Sequence, residues 1–167
     1  NITPWTFRRQ IIDEMMEQFY YGNSGFDDSL VESCEVLCRT KEEKLYLADS
    51  LVKSGNDYYK GVAANIYLSY GKDEAFIEVQ SKNLHYGSDY IKLADYYKKH
   101  KQADKAVALI EKALSKADGR MDEVYIWLFN EYKKKHQEDK IQLLYEKALI
   151  KKTDASTIVE LMYKHYT

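Results

Sequence analysis

The sequence predicts an all-α fold, an α-α superhelix of about ten antiparallel helices. Three observations support this prediction: an internal repeat, apolar residues at helical spacing within that repeat, and a shortage of residues that form turns between strands. The chain has 167 residues, of which one is Pro and seven are Gly. Lys, Glu, Leu and Ala are abundant, a composition that is typical of helices.

The internal repeat is a unit that occurs twice with an offset of 35 residues. Matched residues on its first helix are Tyr90 and Tyr125, Ile91 and Ile126, Leu93 and Leu128, and Tyr97 and Tyr132. On its second helix Ala106 and Ala113 lie seven positions apart, which is two turns on one helix face. One helix pair cannot cover its own apolar stripe, so neighbouring pairs are expected to stack into an array.

The first 56 residues are predicted to hold three helices. Pro4 at a first helical position starts a helix that runs to about Tyr21, and a second helix is expected at residues 27–39. The spacing Thr40-x-x-Glu43 has the form of a capping box, which predicts a third helix that ends before Gly55.

A fourth helix is predicted to follow Asn56 and to end before Gly71, and a fifth is expected at residues 73–86. This pair is an earlier, worn copy of the repeat, with Tyr59 in the place of Tyr90. Gly lowers the stability of a helix interior. We therefore expect Gly61 to be explained by a neighbouring helix that packs close to it.

The two clear copies of the repeat supply the sixth to ninth helices, and Gly119 is expected to end the seventh. A tenth helix is predicted to begin at Thr153–Asp154. It is either a terminal cap or the first half of a further repeat. Because the chain begins at Asn1 without Met, we expect it to be a piece of a longer protein.

The repeated pattern resembles the tetratricopeptide repeat, which has an aromatic residue, Leu-Gly and Tyr on its first helix and Ala, an aromatic residue and Ala on its second. Ala94 and Phe129 stand where that family has Gly, Ile110 replaces an aromatic residue, and Asp118 and Thr153 replace the closing Pro. The chain is therefore similar to a divergent member. The resemblance implies one repeat domain, residues 1–167, made of N-terminal helices with a worn repeat (1–56), a divergent repeat (57–87), two repeats (88–122 and 123–152) and a capping helix (153–167).

The segments from Lys92 to Tyr97 and from Leu114 to Arg120 are also similar to helical tails attached to prokaryotic SWIM-type zinc fingers. This second resemblance implies an accessory role beside such a finger. The Cys-x-Cys motif of the finger does not occur here, so the finger itself would lie outside this sequence.

Charge is unevenly distributed, although the formal net charge is only −2. Residues 1–87 contain 9 basic and 14 acidic side chains, a net charge of −5, and residues 88–167 contain 16 and 13, a net charge of +3. The overall balance predicts neither wholesale binding to nucleic acid nor a disordered acidic chain.

We expect a cytoplasmic protein without membrane contact, because no apolar run approaches the roughly 18 residues of a membrane span. Cys34 and Cys38 are one helical turn apart, which is poor geometry for a disulfide between them. They are interpreted as small apolar residues of a buried helix face in a reducing compartment.

Nothing in the sequence indicates an enzyme, a cofactor or a metal site. The paired carboxylates at 27–28, 42–43 and 122–123 fall in first turns of predicted helices, where acids are favoured by the helix dipole. The four His, at positions 85, 100, 136 and 165, lie near predicted helix C-termini, where cations are favoured, and they form no metal-ligand motif. Gly-rich phosphate loops and Gly-x-Ser-x-Gly elbows do not occur.

Two basic runs, at residues 98–101 and 133–136, recur in register at the ends of the first helices. Stacking would bring them side by side. They either complete helix C-termini on a solvated rim or form a basic stripe for an acidic peptide or for phosphate. The predicted function is a non-enzymatic interaction module for a protein or peptide, and the alternative is an accessory nucleic-acid-binding or regulatory segment of a larger protein.

The resemblance to tetratricopeptide repeats also implies where a ligand would bind, because certain first-helix positions face inward in such arrays. The matching residues are Lys60, Tyr67, Ile91, Asp95, Lys98, Lys99, Ile126, Asn130, Lys133 and Lys134. Lysines, an amide and two Ile suit a peptide that carries acidic residues. Asp95 stands where carboxylate-clamp members have Asn, so a groove for acidic peptides is expected and a clamp for a peptide C-terminus is not. The sequence leaves the oligomeric state open.

Overall fold

The computed structural model describes residues 3–20, 27–150 and 155–166, and within these ranges the chain forms ten helices and no strand, which confirms the all-α class. The helices are α1 (Trp5–Tyr20), α2 (Asp27–Leu37), α3 (Lys41–Lys53), α4 (Asp57–Ser69), α5 (Asp73–Lys82), α6 (Gly87–Lys99), α7 (Ala103–Lys116), α8 (Asp122–Lys134), α9 (Glu138–Ile150) and α10 (Ala155–Tyr166). None of them, as far as the described residues extend, is long and apolar enough to cross a membrane.

The chain divides into two compact units, Asn1–Asn83 and Leu84–Thr167. In unit 1, α1 packs against α2 and α3, and α4 packs against α3 and α5. Its core contains side chains that are fully buried, among them Ile12, Leu47, Leu51, Tyr59 and Phe76.

Helix α3 begins at the capping box that the sequence predicted. The Glu43 N–H donates to Thr40 Oγ1 at 3.3 Å, and the Thr40 N–H donates to the Glu43 carboxylate at 3.4 Å. Asn56 caps α4 in a simpler way, because its side chain accepts a hydrogen bond from the Tyr58 N–H at 2.8 Å. These two helix starts are therefore confirmed, and both are defined by residues close together in the chain.

Unit 2 contains the two clear repeats. Helix α6 packs against α7 and α8, α8 packs against α7 and α9, and α10 packs against α8 and α9. The Ala and Ile residues expected on the second helix, Ala106, Ile110 and Ala113, are all fully buried. The predicted core face of that helix is therefore confirmed.

The predicted end of the fifth helix is wrong, because α5 ends at Lys82 and not at Tyr86. Asn83 leaves the helix, and its side chain donates a hydrogen bond to the Asp57 carbonyl at 3.0 Å. Asp89 accepts hydrogen bonds from the N–H groups of His85 and Tyr86 at 3.1 and 2.8 Å. Because of these hydrogen bonds, residues 83–86 form the loop between α5 and α6.

Other helix ends differ less from the prediction. Helix α2 ends at Leu37, two residues early, and the N–H groups of Arg39 and Thr40 that follow it are bound by Glu43. The predicted end of the first helix at Tyr21 and the predicted start of the tenth at Thr153–Asp154 lie outside the described residues.

Gly61 does not provide the close helix contact that was expected of it. A Cβ atom built at Gly61 would meet nothing within 4 Å. The close approach occurs instead at Gly87, the first residue of α6, where a Cβ atom would lie 2.8 Å from Val124 Cγ2 and 3.2 Å from the Arg120 carbonyl oxygen. Gly87 therefore allows α6 to start directly against α8.

Candidate ligand-binding surface

The first helices of the two clear repeats, α6 and α8, pack side by side in unit 2. Each buries its repeated stripe of Tyr and Leu, so the residues at the intervening positions lie outside the core. Eight predicted ligand-binding residues fall at those positions, and we call them the α6–α8 surface: Ile91, Asp95, Lys98, Lys99, Ile126, Asn130, Lys133 and Lys134.

Trp127 connects the two helices at this surface. Its indole Nε1 donates a hydrogen bond to Asp95 Oδ1 at 2.8 Å. The Lys98 ammonium lies 5.3 Å from the centroid of the same indole, within the range of a cation–π contact. A residue of α8 thus holds two side chains of α6, one turn apart, in a defined arrangement.

Glu131 is a second connection between the helices, and it is only 6% exposed. One of its carboxylate oxygens accepts hydrogen bonds from Lys98 of α6 and from Lys134 of α8, the latter at 3.1 Å. Burial alone would raise the pKa of Glu131, but the hydrogen bonds from the two lysines outweigh it and hold this pKa below its ordinary value. The carboxylate is therefore ionised at neutral pH and binds both lysines.

Glu131 and Trp127 were not among the predicted ligand-binding residues. For Glu131 the repeat itself contains a signal, since Tyr96 stands 35 residues earlier and is buried as well. The repeat predicts a buried position there without predicting a carboxylate. Trp127 matches Lys92, and this pairing contains no indication of a contact with Asp95.

The remaining groups of the α6–α8 surface are more available to a ligand. Lys99 and Asn130 are exposed and have no hydrogen bond or ion pair from their side chains within the described part of the chain. Ile126 is 40% exposed. The Lys133 ammonium donates to the Lys164 carbonyl of α10 at 2.9 Å and lies 5.7 Å from the Phe129 ring centroid.

The two basic runs come together at Glu131, where Lys98 of the first run and Lys134 of the second share one oxygen. Lys135 of the second run pairs with Asp104 of α7, at 2.8 Å. Each of these three ammonium groups already contacts a carboxylate, so the runs present less free positive charge than the sequence suggests.

Lys60 and Tyr67, the two predicted ligand-binding residues on α4, belong to unit 1. The Lys60 ammonium pairs with Asp57 at 2.9 Å, three residues back on the same helix. Tyr67 is 6% exposed and donates its hydroxyl hydrogen bond to Asp49 at 2.6 Å. Burial together with that carboxylate raises the pKa of Tyr67, so the residue is a packed phenol with little surface for a ligand.

All four His were predicted near helix C-termini, and three of them, His100, His136 and His165, lie there. His100 follows α6 directly, with its Nδ1 atom 2.8 Å from the Tyr96 carbonyl oxygen, and His136 follows α8. His165 is in the last turn of α10, where its Nε2 atom is 2.8 Å from Glu138. His85 lies between α5 and α6, beyond the corrected end of α5.

Cys34 and Cys38 are buried on α2 and are not joined by a disulfide. Burial raises the pKa of the Cys34 thiol to about 12 and that of Cys38 to about 11. Near neutral pH both are protonated and weakly nucleophilic. Among the described residues there is no group of three or more His, Cys, Asp or Glu side chains that could hold a metal ion.

Comparisons with models of protein families, with curated proteins and with solved structures found no match. The resemblance to tetratricopeptide repeats therefore rests on the repeated residue pattern itself.

Proposed function

We propose that this chain is a non-enzymatic interaction module that binds an acidic peptide segment of a partner protein on the α6–α8 surface. The observation that carries the proposal is the arrangement of Asp95, Trp127 and Lys98 beside Glu131 and Lys134. Side chains from two successive first helices are held there by one another, so the surface is ordered before a ligand arrives.

The charge of the surface favours an acidic partner. It contains four lysines, at positions 98, 99, 133 and 134, and one carboxylate, Asp95; with the buried Glu131 beneath it included, the net charge is +2. Asp95 and Glu131 already accept hydrogen bonds from within the unit, whereas Lys99 is unpaired in the described part of the chain. A carboxylate of a ligand would find ammonium groups here, with Ile126 beside them for apolar contact.

The alternative partner, nucleic acid, has weaker support. Binding to a phosphate backbone depends on cations that can exchange their counterions for phosphates. Lys98, Lys134 and Lys135 are instead paired with carboxylates of the chain itself.

The two buried, unbridged thiols suit a reducing compartment, and we propose the cytoplasm as the location.

The proposal is tested with charge reversals at the two lysines that do not bind Glu131. Immobilised wild-type chain and the double variant Lys99→Glu/Lys133→Glu are incubated with extract of the natural source, and retained proteins are identified by mass spectrometry. We expect the double variant to lose partners that the wild type retains, because reversed charges repel an acidic segment. Lys98 is left intact, since its reversal would place two carboxylates together at Glu131.

The matched control is Lys112→Glu/Lys147→Glu, which makes the same change in net charge at exposed positions of α7 and α9. This control should retain the partners, and all three proteins should share one helical circular dichroism spectrum. Identical partners for wild type and Lys99→Glu/Lys133→Glu would show that the α6–α8 surface is not the binding site. Retained nucleic acid that is released by moderate salt would favour the alternative.

A further inference from the structure

Unit 1 contains a groove between α2 and α4, with a volume of about 640 Å³. Helix α2 packs against α1 and α3, and α4 packs against α3 and α5, so these contacts leave the groove open between α2 and α4. We call it the α2–α4 groove. Its lining includes Val31, Glu32 and Glu35 of α2, Lys44 of α3, Tyr58, Val62, Asn65 and Ile66 of α4, and Tyr70, which directly follows α4.

The base of the groove is apolar. Val31 and Ile66 are buried, and Val62, which also lines the groove, is half-buried. At one end stands Tyr58, which is 50% exposed, and at the other end stands Tyr70. Branched aliphatic side chains with aromatic rings at the ends form a surface on which apolar side chains of a ligand can be buried.

The rim of the groove is acidic. Glu32 is exposed and has no ion pair or hydrogen bond from its side chain within the described residues. Glu35 lies one turn further along α2, and its carboxylate is 3.8 Å from the Lys44 ammonium, which also donates to the Glu35 carbonyl oxygen. Lys44 is therefore held by Glu35, and Glu32 is left as the free charge at the rim.

Unit 1 as a whole reinforces this acidic character. Residues 1–83 contain 9 basic and 14 acidic side chains, a net charge of −5. A cationic ligand is therefore attracted both by the field of the unit and by the free carboxylate of Glu32 at the groove. The preference is opposite in sign to that of the α6–α8 surface.

The length of the groove matches a short extended peptide. From Tyr58 to Tyr70, directly after the end of α4, this side of the lining covers twelve residue steps, about 18 Å at the helical rise. An extended chain covers the same length with about five residues.

Asn65 supplies the polar contact that an extended backbone needs. It is exposed on the groove side of α4 and, in the part of the chain that the structure describes, its side-chain amide has no partner. An Asn amide can donate to one peptide group and accept from another. Its exposed position on α4, among the residues that line the groove, suits a peptide main chain that lies along that helix.

We propose that the α2–α4 groove binds an extended segment of about five residues from a partner protein, with aliphatic side chains at its base and a Lys or Arg at Glu32. This is a second interaction surface, distinct in position and in charge preference from the α6–α8 surface.

The test uses a random heptapeptide library displayed on phage and selected on the full chain. Enriched peptides should combine Lys or Arg with aliphatic or aromatic residues. A synthetic, fluorescein-labelled copy of the most enriched peptide is then titrated with the full chain and its fluorescence anisotropy is recorded.

Glu32→Lys should weaken binding by about fivefold or more, because it replaces an attraction by a repulsion. Asn65→Arg should abolish binding, because it places a long cationic side chain in the groove.

The matched control is Glu17→Lys on α1, an equal change in charge at an exposed residue without a partner in the described chain, and it should bind as the wild type does. Circular dichroism checks that all variants keep the same helical content. Three results would each overturn the proposal: no enrichment over an unrelated protein, enrichment of acidic peptides alone, or peptides that bind wild type and Asn65→Arg equally well.

Discussion

Glu43 is the buried carboxylate at which three helices of unit 1 meet. Arg8 of α1 forms a bidentate pair with it, with both nitrogen–oxygen distances at 2.7 Å. The N–H groups of Arg39 and Thr40, which follow α2, donate to the same side chain. The sequence predicted Glu43 as part of a capping box, but its larger role, binding Arg8, depends on a residue 35 positions away.

The Arg8–Glu43 pair predicts a particular dependence of stability on pH. The hydrogen bond from Arg8 outweighs burial and lowers the pKa of Glu43 from its ordinary value of 4.5 to about 2. Its contribution to the free energy of unfolding is therefore complete above about pH 4.5 and is lost as the pH falls towards 2. We expect Glu43→Gln to lower the melting temperature by several degrees at pH 7, and this difference from wild type should shrink across that pH range.

Thermal unfolding followed by circular dichroism at several pH values between 7 and 2.5 would measure this. The control is Glu42→Gln, which changes the neighbouring, exposed carboxylate of the same first turn and should have little effect at any pH. A constant difference between wild type and Glu43→Gln at all pH values would contradict the assignment.

At the scale of the elements, small residues are buried on both helices of the packed pair α6 and α7. Ala94 of α6 and Ala106 and Ala113 of α7 are all fully buried. Alanine side chains let the two helix backbones approach closely, while the larger Leu93 and Ile110 fill the space between them and their neighbours. The Ala residues of the repeat therefore set the helix spacing.

Ala106→Leu should consequently overpack this contact and reduce the free energy of unfolding by about 1–3 kcal/mol. The control is Ala108→Leu, on the exposed face of the same helix, which should change stability by no more than about 0.5 kcal/mol. Urea unfolding curves of the three proteins give both values. Equal stability of Ala106→Leu and wild type would mean that the register of the repeat has been assigned incorrectly.

Helix ends could be predicted from the sequence where nearby residues cap them, and not where a distant residue binds them. The starts of α3 and α4 were predicted correctly because their capping groups, Thr40, Glu43 and Asn56, are within three residues of the N–H groups that they bind. The end of α5 was predicted incorrectly because Asn83 binds the Asp57 carbonyl, 26 residues away. Interactions over such a separation have no signal in the local pattern.

At the scale of the whole molecule, the chain consists of two compact units, each with a core of its own. Unit 2 buries the stripes of both clear repeats together with Leu161 of α10, and Tyr145 donates its hydroxyl hydrogen bond to the Leu161 carbonyl at 3.1 Å. Helix α10 thereby covers apolar surface of α8 and α9 within the same unit.

We therefore expect residues 84–167 to fold when they are produced without unit 1. The expected result is a helical circular dichroism spectrum and one cooperative thermal transition. Ala106→Leu in this fragment should lower the transition temperature, which would show that the native contact between α6 and α7 is present. A disordered spectrum, or a gradual loss of helical signal on heating, would show that unit 2 depends on unit 1 for its stability.

Much of the fold and part of the candidate site could be predicted from the sequence. Eight predicted binding residues lie outside the core on two packed helices, because the 3.6-residue period assigns each residue to a helix face. That these residues bind a ligand stays a prediction. Lys60 and Tyr67 were placed by analogy with a worn copy of the repeat, and Tyr67 is largely buried.

The sequence by itself determined the all-α class, the repeat and the start of several helices, because helix periodicity and capping are local properties of the chain. Only the tertiary structure decided which charged side chains form ion pairs within the protein and where a groove remains open. Lys98 reaches Glu131 across 33 residues, and Arg8 reaches Glu43 across 35. Such pairings depend on the distances between helices, and so does the space between α2 and α4. The residue pattern of a single helix does not specify these distances.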